Sequence, residues 1–167
     1  TLADRELSAG LAEIIKYALE HSSFIKEADY IVKITGRLIL RNLNNILGIT
    51  NLLYAGRKNG VSVDVIDEHI AESRVIIASF DFYSTFFIPN MNQINDSSGY
   101  YFEHLLVSSI KNWISSGNIF IPIPVFPQFV GYSGSTGIEY KCDNILKNNL
   151  YTLKKSVINY FRYKYKR

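Results

Sequence analysis

The chain is short of the residues that staple or interrupt small folds. It has 167 residues with one cysteine, one methionine, one tryptophan and four prolines. A single cysteine, Cys142, cannot close an internal disulfide or build a zinc cluster, which excludes a disulfide scaffold and suits a reducing compartment. Uninterrupted apolar runs are also missing. The stretches Val75 to Ile88 and Ile119 to Val130 are broken by Asp81 and by Pro122, Pro124 and Pro127, so neither reads as a membrane span of about 20 residues. The chain opens at Thr1 with no basic-then-apolar leader, so no signal peptide is expected, and both ends are read as artificial or proteolytic boundaries.

What is present is 47% hydrophobic, 14% aromatic and 20% charged, the composition of one soluble globular domain able to bury roughly 70% of its unfolded surface. The formal charge of +3 conceals a step. Residues 1–140 carry 10 basic and 14 acidic side chains, whereas residues 141–167 carry 8 basic and 1 acidic. The final six residues, Arg162, Tyr163, Lys164, Tyr165, Lys166 and Arg167, alternate cation and phenol. That pattern suits a phosphate-rich surface, and Arg162, Lys164, Lys166 and Arg167 are read as membrane-proximal, with a membrane helix expected after residue 167. A solvated helix end is the plainer reading of the same cations.

Hydrophobic spacing predicts helices almost throughout. Leu7, Leu11, Ile14, Ile15, Ala18 and Leu19 give a first helix from about Asp4 to His21. A second helical region begins near Glu27 and carries Ile31, Ile34, Leu38, Leu43, Ile46, Leu47 and Leu53, ending in a turn at Lys58–Ser62. Asp64 is expected to cap a third helix that becomes apolar all round from Val75 to Phe87, as a central bundle helix would. Pro89 to Ser98 is a loop, and Tyr101 to Ile110 start a helix that ends by Gly117. Prolines at 122, 124 and 127 and glycines at 131, 134 and 137 then predict an extended crossing with tight turns, before a last helix from Cys142. The fold class expected is an all-α bundle of five to six helices with a Pro/Gly-rich hook, in one domain spanning residues 1–167.

Reactive constellations are scarce in the sequence. His21, His69 and His104 fall in three different predicted helices with no HExxH-like spacing and read as surface or boundary histidines. The serines form no GxSxG elbow, and Gly131, Gly134 and Gly137 match no phosphate-binding loop. Cys142 has no neighbouring group to activate it and reads as a buried helix-start residue. No catalytic residue, metal ligand or cofactor is assigned. Asp81, set in an apolar stretch, is expected to be buried and to need a partner such as Arg74, Arg37 or Arg41, unless it serves in docking.

Two stretches resemble known families. TLADRELSAGLAEIIKYAL is similar to a segment of 3-dehydroquinate synthases, in which the residue matching Glu13 binds zinc and the one matching Lys16 contacts substrate. The likeness ends after about 20 residues, and residues 1–25 are read as a leader or shared helical phrase. A longer likeness runs from about Leu43 to Phe161. RKNGVSVDVIDEHIAESRVIIASFDFYSTF and FPQFVGYSGSTGIEYKCDNILKNNLYTL resemble patterns of the DotU/TssL family, the C-terminally anchored inner-membrane components of type VI secretion systems. Arg74, Asp81, Phe129, Gly131, Gly137, Ile145, Leu150 and Tyr151 sit at the matching places. The family's acidic pair is here Asp81 followed by Phe82, and Tyr132 comes one place early after Gly131.

This resemblance implies a non-enzymatic domain on the cytoplasmic face of a bacterial inner membrane. It would join an IcmF/TssM-type partner to cytoplasmic baseplate components, with self-pairing open and no nucleic acid bound. Asp81, Arg74, Gly131 and Tyr132 are the docking candidates it implies, together with loops 89–98 and 128–138. Two other readings stay open: a zinc-dependent lyase fragment resting on Glu13 and Lys16, and a basic-tailed nucleic-acid binder.

Overall fold

A computed structural model describes residues 7–57, 59–132, 137–140 and 150. Helix α1, Leu7–His21, forms where the spacing predicts it and buries Ala12, Ile15 and Leu19 along one stripe, while Ile14, expected on the apolar face, is exposed. After Ser22 comes the short α2, Ser23–Glu27, whose Ile25 N–H donates to the Ser22 hydroxyl at 3.4 Å.

Beyond Glu27 the all-α expectation fails. The chain forms strands β1, Ile31–Ile34, and β2, Leu38–Leu40, before helix α3, Leu43–Tyr54. Strand β3, Gly60–Ser62, follows where a turn was expected, and β4, Val75–Ala78, replaces the predicted central helix. A π-helical turn, Phe82–Phe87, and 3-10 turns at Ile88–Gln93 and Asp96–Ser98 lead to helix α4, Phe102–Ser115. Strands β5, Ile119–Ile121, β6, Phe129–Tyr132, and β7, Glu139–Tyr140, complete the described fold. The last helix expected from Cys142 lies outside the described residues, apart from Leu150.

The result is mixed α/β with two sheets. One has the order β1-β4-β3-β5, antiparallel except for the parallel β3–β5 pair, and the other is the antiparallel β2-β6-β7. The physical reason for the misreading lies in β4, whose four residues are all buried. An apolar run without a polar face fits a central helix and a doubly covered strand equally well. Its β-branched residues Val75, Ile76 and Ile77 favour the strand. Alternation then sends Ile76 and Ala78 into a core with α1, the π-helical turn and α4, while Val75 and Ile77 join Leu38, Leu40, Ile46, Ile123 and Phe129 in a second core. Likewise Ile31, Ile34 and Leu38 have helical spacing but are strand residues, and the buried-exposed-buried pattern of β2 shows the period of two.

The expected helix start at Asp64 is a loop. Asp67 accepts from the N–H groups of His69 and Ile70 at 2.7 and 2.9 Å, and these bonds, His69 first, hold its carboxyl below the ordinary range. The Glu72 N–H donates to the Asp64 carbonyl at 2.7 Å, folding the segment back on itself. Local carboxylate-to-backbone bonds of this kind compete with helix formation.

Two expectations in this half hold. Helix α4 ends before Gly117, where φ is +82°, and the segment after it is extended and turning. Trp113, fully buried on α4, donates its indole N–H to the Ile119 carbonyl at 2.7 Å and meets Phe82 and Phe86 edge-on. Asn42 ties α3 to the approach of β6 by donating to the Phe126 carbonyl and accepting from the Gln128 N–H, both at 2.9 Å.

Candidate functional site

Three of the docking candidates read from sequence converge on the seam between the sheets. Arg74 precedes β4, and its guanidinium carbon lies 5.0 Å from the ring centres of both Phe129 and Tyr140. Its Nε donates to Glu72 Oε1 at 2.7 Å and its Nη2 to Oε2, and these bonds raise its pKa above the ordinary arginine value. Gly131 pairs with Leu38 on one side and Tyr140 on the other. Its φ is +131°, and a Cβ there would lie 2.4 Å from the Arg37 carbonyl oxygen, so its role is a close approach of backbones. Tyr132, next along β6, is exposed.

Asp81 stands apart, past the other end of β4. The expectation that it is buried is corrected: its side chain is exposed at the start of the π-helical turn, because the chain leaves the sheet at Ser79 and Phe80. Arg74, offered as its partner, is bonded to Glu72 instead, and Arg37 and Arg41 are exposed. Its neighbours Phe80 and Ser84 line a cleft of about 340 Å³ together with Lys16, Leu19, Glu20, Lys26 and Ile88. The cleft therefore lies between α1, α2 and the π-helical turn, with apolar residues beside two lysines. Lys26 Nζ donates to the Glu20 carbonyl at 2.9 Å, steadying one rim. On the same two helices Ile14, Tyr17 and Phe24 are 68%, 65% and 86% exposed, and Tyr17 stacks on His21 with ring centres 4.0 Å apart.

A third group was not found from sequence. Lys33 on β1 is half-buried and donates to the Ser73 carbonyl and to Thr35 Oγ1, the latter at 3.2 Å. Beside it the Ser73 hydroxyl donates to Glu103 Oε1 at 2.6 Å, and the Lys33 amine lies 5.6 Å from the Phe102 ring centre. Burial lowers the Lys33 pKa to about 8, against the attraction of Glu103 and Glu72. Perturbed groups of this sort gather at functional sites and in structural ion networks alike. The signal available was a lysine inside the β-branched run Ile31 to Ile34, which has meaning only once that run is read as a strand.

The lyase reading finds its residues scattered. Glu13 is exposed on α1, Lys16 lines the cleft, His21 and His69 are exposed, and His104 is half-buried, accepting from the Tyr101 N–H at 3.0 Å. His69 is in a loop, which corrects its expected helical placement. Among the described residues no three His, Cys, Asp or Glu side chains are grouped to hold a metal ion. Cys142, Arg162, Lys164, Lys166 and Arg167 lie outside the described residues. Among those described, no helix is long and apolar enough to cross a membrane. Comparison with known protein families, curated proteins and solved structures finds no match for this chain.

Proposed function

We propose that this chain is a docking domain that works by recognition, with its partner seated on the α1–α2 face and the adjoining cleft. The observation that carries the reading is that Ile14, Tyr17 and Phe24, large apolar side chains of α1 and α2, are left exposed on the same two helices that help to form the cleft holding Leu19, Phe80 and Ile88. Apolar anchors next to a shaped recess, with lysines at the edge, are the usual anatomy of a protein contact. Asp81, exposed next to the cleft residue Phe80, is adjacent in sequence to this surface and outside the core.

The finer reading, a component of a type VI secretion complex on the inner membrane joined to an IcmF/TssM-type protein and the baseplate, rests on likeness of sequence patterns. The stretch that carries most of that likeness is expected to be helical but forms β3, β4, loops and most of the π-helical turn, so the coarser function has the broader support. The sequence charge step after residue 140 supports a location near an anionic lipid surface.

A photo-crosslinking residue placed at position 24 in the native cell tests the docking surface. One discrete protein adduct is expected, lost when Tyr17 is changed to Asp. The identity of the adduct separates an inner-membrane secretion component from a second copy of this chain, and absence of any adduct overturns the proposal. Flotation with anionic and with neutral vesicles tests the lipid surface separately, with salt-sensitive binding to the anionic vesicles alone expected.

A further inference from the structure

We draw no further inference here: the strongest candidate, the half-buried cluster of Lys33, Ser73 and Glu103 between β1, β4 and α4, has its amine, hydroxyl and carboxylate bonded to one another or to backbone and Thr35 within the chain, so nothing in the structure points to a ligand.

Discussion

Tyr83 and Lys33 show how far single side chains depart from what their neighbours in sequence suggest. Tyr83 is fully buried between Phe82 and Phe87, its ring edge-on to both. Its hydroxyl has no hydrogen-bond partner among the described residues, and burial pushes its pKa well above the ordinary phenol value. An orphaned buried hydroxyl costs about 1–3 kcal/mol, so Tyr83→Phe is expected to be neutral or to stabilise the fold by about 1 kcal/mol in urea unfolding. A clear loss of stability would mean that the hydroxyl has a partner. Lys33 makes the opposite demand on pH. Its amine titrates near 8 in the folded chain and at an ordinary value of 10.5 when unfolded. Between those limits the unfolded chain binds more protons, so the Lys33 contribution to stability rises from pH 8 to 10.5. Lys33→Met removes that rise. Urea midpoints of parent and variant at pH 7, 9 and 10.5 should therefore converge or cross in the parent's favour as pH increases, and a constant difference would refute the desolvated amine.

At the scale of elements, legibility followed the length of the periodic pattern. Helices α1 and α4 each bury a stripe repeated over two or more turns, which a strand does not reproduce, and both lie where hydrophobic spacing predicts a helix. Strands of three or four residues carry too few alternations to declare themselves, and β1, β2 and β4 were absorbed into helical spacing. Of the candidate surface little is legible in the sequence: Arg74, Gly131 and Tyr132, the candidates the resemblance implies, lie at the sheet seam and not on the α1–α2 face, and Asp81 is exposed because its apolar neighbours belong to two different elements. The glycines give an element-scale test. Gly131→Ala puts a Cβ against the Arg37 carbonyl in a left-handed backbone region, and is expected to cost about 1–3 kcal/mol and to loosen the β2–β6 pairing. Gly48→Ala, exposed in α3 with open space around it, is expected to gain about 1 kcal/mol from helix propensity. Thermal melts of the two variants should move in opposite directions, and a neutral Gly131→Ala would contradict the close approach.

For the molecule as a whole, the sequence indicated one globular chain, its irregular Pro/Gly excursion and its charge asymmetry, but not its class. Class depends on which distant segments pair, and the pairing of β1 and β3 on either side of β4 joins residues whose local patterns give no sign of each other. The same topology leaves β4 covered on both faces, with Val75 and Ile77 in one core and Ile76 and Ala78 in the other. Hydrogen exchange should accordingly find the amides of Ile76 and Ile77 among the slowest in the chain, and rapid exchange there would contradict the central position of the strand.

Four residues thus form a party wall between two rooms. Damage on one side is heard on the other: shortening Ile77, which points away from Trp113, should still alter the indole fluorescence on melting, since neither room can collapse while its shared partition stands. The consequence is a single calorimetric peak, in which the two halves are lost together.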